Sequence, residues 1–182
     1  MDQIIADMFP PSHIPYQVIF ARMLAALMMG ALIGFEREAK SRPAGLKTHM
    51  LVSLAACTFS IISLESVYMK AFFDQRVQID PLRVVEAVTA GVAFLAAGTI
   101  VLSRGRVQGL TTGSSLWLAG AIGLSLGFGH WIIAIFAAGS AFFVLTVVGW
   151  FAAASKGEAR TDAGSEAAKP GGEAATSPNV AR

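Results

Sequence analysis

Charge is what this sequence has least of. Only 14% of its 182 residues are Asp, Glu, Lys or Arg, against 54% hydrophobic, and the mean hydropathy is +0.60. A soluble domain carries about 25% charge, so the deficit excludes a soluble globular protein and implies a membrane protein. Cysteine is nearly missing as well. Cys57 alone excludes an intrachain disulfide and a Cys-based metal site. His13, His49 and His130 fall far apart, at different helix ends, which argues against a dedicated zinc site. A basic opening is missing too: Asp2 and Asp7 stand there, and the first apolar run leads into Glu36-Arg37-Glu38 rather than a small-residue cleavage site. That run is expected to remain as a transmembrane helix. Gly109-x3-Gly113 lacks the lysine of a phosphate loop. No nucleophile–base pair, paired-carboxylate site or nucleic-acid surface is recognisable. The expectation is a non-catalytic protein with no cofactor, no metal and no nucleic-acid partner.

What is present is apolar sequence in span-sized pieces. A span needs about 20 residues to cross about 30 Å of hydrocarbon. Five such pieces are expected, at about Tyr16–Phe35, Thr48–Leu64, Pro81–Ser103, Leu110–Leu126 and Trp131–Ala153. Thr48 reads as the N-cap of the second, and Asp80-Pro81 as the cap and first position of the third. No Asp, Glu, Lys or Arg occurs from Val107 to Ser155, too long a stretch for one crossing, and Gly127-Phe128-Gly129-His130 is the natural hairpin within it. Residues 1–15 form a lead-in broken by prolines, 16–154 the helical bundle, and 155–182 a polar tail expected to be disordered. Arg37, Lys40, Arg42, Lys47, Arg104 and Arg106 all fall in the loops of one side. The positive-inside rule makes that side cytoplasmic, with the N-terminus outside and the tail inside. The fold expected is therefore an all-α, polytopic membrane bundle of five transmembrane helices.

Small residues recur at close-packing spacing: Gly30-x3-Gly34, Ala87 with Gly91, Ala93-x3-Ala97, Gly109-x3-Gly113 and Gly123-x3-Gly127. In lipid such faces let backbones approach. They serve packing within the bundle first, and one of them could serve a homo-oligomer. Arg22, inside the first span, needs a partner or must snorkel, with Glu65 and Glu86 the candidate partners. Glu36 and Glu38 sit at a helix C-terminus, where the dipole disfavours them, and are expected to pair with Lys40, Arg42, Lys47, Arg104 or Arg106. The hydroxyls of Thr111, Thr112, Ser114 and Ser115 suit capping and interhelical bonds.

Several of these motifs together resemble the MgtC/SapB family. They are Arg22-x-Leu24 with Gly30-Ala31-Leu32-Ile33-Gly34-Phe35-Glu36-Arg37-Glu38; Arg42-Pro43-Ala44-Gly45-Leu46-Lys47-Thr48-His49; and Asp80-Pro81-x-Arg83. Gly91-x-x-Phe94-Leu95-x-Ala97-Gly98 and Arg106-Val107-x-Gly109-Leu110-Thr111-Thr112-x-x-Ser115-Leu116-Trp117 complete them, in order, over about Arg22–Phe151. The resemblance marks Arg22, Glu36, Arg37, Thr48, His49, Arg83, Gly91, Gly98, Gly109, Thr111, Thr112 and Trp117 as signature positions, with Glu86 added as a contact candidate, and assigns catalysis to none. Ala93 and Ala96 stand where the family's GIGFLGAG motif has glycine, which is expected to loosen helix approach. The family's MgtC proteins carry an ACT-like soluble domain after the helices; the tail here resembles the short SapB-like members instead.

The resemblance implies a bacterial inner-membrane protein linked to growth at low magnesium and to virulence. It also implies a regulator that docks on another membrane complex, as MgtC does on the membrane part of ATP synthase. The competing reading is an ion or small-solute pathway formed by an oligomer. An inverted repeat or a broken helix would favour the pathway, and the sequence displays neither.

Overall fold

The computed structural model describes residues 12–68, 80–103 and 106–149. The start of the lead-in, most of the polar stretch between the second and third spans, Arg104 and the polar tail lie outside the described residues. The chain divides into two compact units, Met1–Leu145 and Thr146–Arg182, and the bundle belongs to the first.

Among the described residues there are five α-helices: α1 (Tyr16–Ala39), α2 (Leu46–Val67), α3 (Leu82–Gly98), α4 (Leu110–Gly127) and α5 (Trp131–Phe143). A π-helical stretch, Val144–Val148, continues α5. Among the described residues, three stretches are long and apolar enough to cross a membrane: α1, α2 and Trp131–Val148. The all-helical membrane architecture is thus present, with one small addition. Between α3 and α4, β1 (Val101–Ser103) and β2 (Arg106–Gln108) pair antiparallel, Val101 opposite Gln108.

That hairpin corrects the expected third span, whose helix ends at Gly98 rather than Ser103. Thr99, Ile100 and Val101 follow, β-branched residues that favour extended backbone. Gly109 closes the hairpin onto α4 with φ +89, and a Cβ there would lie 2.0 Å from the Thr99 carbonyl oxygen. The first span errs the other way, since α1 runs past Phe35 through Glu36–Glu38 to Ala39.

Thr48 is not a cap. α2 begins at Leu46 with Gly45 in the cap position and no side-chain bond from it. Glu38 caps the helix instead: its Oε2 accepts the Leu46 amide at 2.9 Å. A distant carboxylate displaces the local hydroxyl because Gly45 has no side chain; a Cβ there would lie 1.7 Å from Glu38 Oε2. Thr48→Ala is therefore expected to change stability by less than about 0.5 kcal/mol. Glu38→Ala loses about 1 kcal/mol, as thermal unfolding in detergent micelles would measure. Asp80 does act near the start of α3, its Oδ1 accepting the Leu82 amide at 2.9 Å, with Pro81 in the cap position rather than the first turn.

α4 is the centre of the bundle and packs against α1, α2, α3 and α5. Its composition explains why it can be: Gly113, Gly120, Gly123, Gly127, Ala119, Thr112 and Ser115 are buried, and small residues bring helix axes close. A Cβ at Gly123 would lie 2.1 Å from the Ser53 carbonyl oxygen of α2, and one at Gly127 2.5 Å from that of Cys57. Gly30 and Gly34 hold α1 as tightly to the start of α2. The main core joins Ala26 and Ile33 of α1, Cys57 and Ile61 of α2, Ile122 and Leu126 of α4, and Ala134 and Ala138 of α5.

α3 is attached loosely by comparison, burying only Val92 and Ala96. The loosening expected at Ala96 does not occur, because Gly113 faces it and a Cβ there would stand 3.2 Å from the Ala96 carbonyl oxygen. Ala93 is exposed. The remaining outer surface is apolar, with Ile132, Phe136 and Phe94 among its most exposed side chains. A surface facing hydrocarbon requires that composition.

Candidate functional site: a buried polar cluster where α1, α2 and α4 meet

Polar side chains are scarce in this bundle, yet several of the signature residues are buried together at the end where α1 stops and α2 starts. Glu36 and Arg37, on the last turns of α1, are both buried. Arg37 Nη2 pairs with Glu36 Oε2, and Lys40 Nζ reaches Glu36 Oε1 at 2.5 Å, one turn along the same helix. Lys40 also donates to the Leu145 carbonyl oxygen at 3.2 Å, tying α1 to the π-helical stretch after α5. The expected Glu36–Lys40 pairing is present. Arg37 is the partner that sequence spacing does not suggest, because adjacent helix positions do not ordinarily face each other.

Beside this triad lies His49, buried on the first turns of α2. Its Nδ1 is 2.8 Å from the Gly45 carbonyl oxygen, one turn back. A carbonyl only accepts, so Nδ1 carries the proton. Nε2 is then an acceptor facing Ser115 Oγ of α4 at 2.9 Å, and the single hydroxyl proton of Ser115 is shared between it and the Thr112 carbonyl oxygen at 2.8 Å. A mainly apolar cavity of about 400 Å³ between α4 and α5, lined by Leu110, Leu118, Ala141 and Leu145, also borders Ser115.

The Ser115–His49 contact has the atoms of a nucleophile and its base. Its surroundings do not suit that chemistry. Ser115 is buried in a helix interior, and the group orienting His49 is a peptide carbonyl rather than a carboxylate. What the arrangement is built to do is fasten α2 to α4 with a polar bond inside an apolar bundle. Ser115→Ala leaves Nε2 without a partner and is expected to cost about 1–3 kcal/mol, read as a lower melting temperature in micelles. His49→Ala in that background should add little of its own beyond lost packing if the two residues act as one unit.

Other signature positions lie elsewhere. Thr48 and Thr111 are exposed, and Thr112 is buried beside Ser115. The capping role expected of the α4 hydroxyls is not filled, since Gly109 occupies the cap position without a side-chain bond. Trp117 is half exposed on α4. Gly91 and Gly98 of α3 face open space, with nothing within 4 Å of a Cβ at either. Arg83 and Glu86 are exposed at the opposite end of the bundle, where Arg22 is half-buried.

Arg22 pairs with neither Glu65 nor Glu86. Its Nη1 donates to the Gly127 carbonyl oxygen at 2.8 Å, at the end of α4. Glu65 instead accepts the backbone amides of His13 at 3.0 Å and Ile14 at 2.9 Å. The last carbonyls of a helix have no partner within it and attract a cation. Gly129, at φ +84, makes room, for a Cβ there would lie 2.7 Å from Arg22 Nη2. Sequence reasoning weighed side-chain partners and missed the backbone one.

An all-helical bundle with an apolar exterior, a Gly/Ser/Thr-rich central helix and buried charge at one end defines a membrane protein. The chain belongs to the MgtC family, whose model matches residues 23–154. It is 35% identical to Protein SapB of Bacillus subtilis over 62% of this chain and 49% of that one. To the putative magnesium transporter YhiD of Escherichia coli K12 it is 34% identical, over 72% and 60%. With Protein MgtC of Brucella abortus it shares 36% identity, over 60% and 42%. The chain spans about half the length of the curated relatives it matches. No solved structure matches it.

Proposed function

We propose that this protein is a non-catalytic regulator of magnesium and ion homeostasis in the bacterial inner membrane, acting by docking on another membrane complex. The observation that carries the reading is the contrast between its helices. α1, α2 and α4 close on one another through Gly30, Gly34, Gly123 and Gly127. α3 instead turns Ala90, Ala93, Phe94 and Ala97 outward, all exposed, at the i, i+3, i+4, i+7 spacing of one helix face. Small residues around one exposed aromatic suit the approach of a foreign helix. The relatives named for magnesium and MgtC supply the physiological direction. Family resemblance makes the membrane part of ATP synthase the first partner to test.

Five spans with the Glu36 end cytoplasmic complete the proposal, supported by Lys40, Arg42 and Lys47, which are exposed at that end. A reporter fused after Ala154 that is active only outside the cell would refute the orientation. For docking, a photocrosslinker at Ala93 or Ala97 in native membranes is expected to trap one partner. Self-contacts alone would refute it. A deletion strain is expected to grow poorly at low external magnesium, with an altered membrane potential.

A pathway for an ion is the second reading, favoured by the name of the YhiD relative. Magnesium or proton flux into liposomes holding the purified protein would support it, and no flux under any gradient would remove it.

A further inference from the structure

Among the described residues the bundle is not closed between α2 and α3. A groove of about 870 Å³ runs along their junction. Its walls are large and apolar, with Leu51 and Phe59 on α2 and Val84 and Leu95 on α3. Gly91 lies on its floor, and a Cβ there would meet nothing within 4 Å. The α2 wall from Leu51 to Ser66 covers about 22 Å at 1.5 Å per residue, more than the roughly 15 Å of hydrocarbon in one leaflet.

Charge gathers at one end only, where Asp80 and Arg83 border the groove. Asp80 keeps its charge but is turned to the Leu82 amide at the start of α3, and Glu86, exposed one turn beyond Arg83, does not line the groove. Arg83 is exposed and makes no ion pair among the described residues. The other described arginine at this end, Arg22, is held by the Gly127 carbonyl. The groove is therefore a long apolar slot with one available guanidinium at its mouth, the complement of an amphiphile with an anionic head.

We propose that this groove binds an anionic phospholipid, its phosphate at Arg83 and an acyl chain lying along α2 and α3. The match is to charge at one end and hydrocarbon along the rest. A foreign helix would have no use for a cation confined to the mouth, and it is an outcome of the test. The proposal is independent of the docking face, which lies on the other side of α3.

The experiment uses the full chain carrying Phe59→Trp as a reporter, reconstituted in phosphatidylcholine vesicles, with the parent chain subtracted for its native tryptophans. Brominated phosphatidylglycerol and brominated phosphatidylcholine are compared as quenchers. The relative binding constant is expected to favour phosphatidylglycerol by about fivefold, the preference one basic residue near a membrane surface provides. Arg83→Gln is expected to abolish the preference and Arg83→Lys to keep it. Gly91→Leu, which the open floor accommodates, is expected to reduce quenching by both lipids. Equal constants for the two lipids in the reporter chain, or an undiminished preference in Arg83→Gln, would overturn the proposal. So would a crosslinker at position 59 that captures another protein in native membranes, since a helix would then fill the groove.

Discussion

Replacing Glu36 with alanine is expected to cost about 3–5 kcal/mol, because it leaves the buried Arg37 guanidinium without its counter-charge. The side chains of Arg37 and Glu36 are 4% and 8% exposed, so neither ion is compensated by water. Lys40 cannot substitute, being of the same sign as Arg37 and itself held by Glu36. Glu36→Leu combined with Arg37→Met is expected to recover most of the loss, since removing a buried pair together is close to neutral whereas removing one partner is not. Unfolding in mixed micelles measures all three proteins. A single Glu36→Ala variant as stable as the parent would mean that Arg37 finds water or a headgroup, and that the pair is a surface feature.

Gly123→Val should be as damaging, for a steric reason. The added Cβ falls 2.1 Å from the Ser53 carbonyl oxygen and 2.9 Å from Ala56 Cβ. The first contact is backbone, which cannot swing aside, so α2 and α4 must separate along the main core. The cost expected is about 3 kcal/mol or more, at the upper end for overpacking, read as loss of a monodisperse peak and a lower melting temperature. Gly139→Ala provides the control: nothing lies within 4 Å of a Cβ there. It should leave stability unchanged or raise it by up to about 1 kcal/mol through helix propensity.

The sequence and the structure part company at identifiable residues. Helix existence was legible because apolar runs of span length have few alternatives. Helix ends were less so. Glu36–Glu38 read as loop by polarity, yet they continue α1 because partners from Lys40 and from the α2 amide await them. Thr99–Val101 read as helix by hydropathy, yet Val101 pairs with Gln108 in a hairpin that Gly109, at φ +89, leads into α4. In each case a partner distant in sequence decided the matter. The Ser115–His49 bond shows the same limit, since the residues were visible as signature and hydroxyl but their contact depends on how α2 and α4 face each other.

By itself the sequence determined the membrane class, the helical architecture, the small-residue faces and the family, all of which rest on composition and on order along the chain. Tertiary structure alone decided which glycines close the bundle and which face open space. It also decided that Arg22 caps a helix end instead of meeting a carboxylate, and that Glu36, Arg37 and His49 lie buried together. The physical reason is that in an apolar medium a polar group accepts whichever partner the packed helices bring within reach. That choice depends on distance in space, which spacing along the chain does not encode.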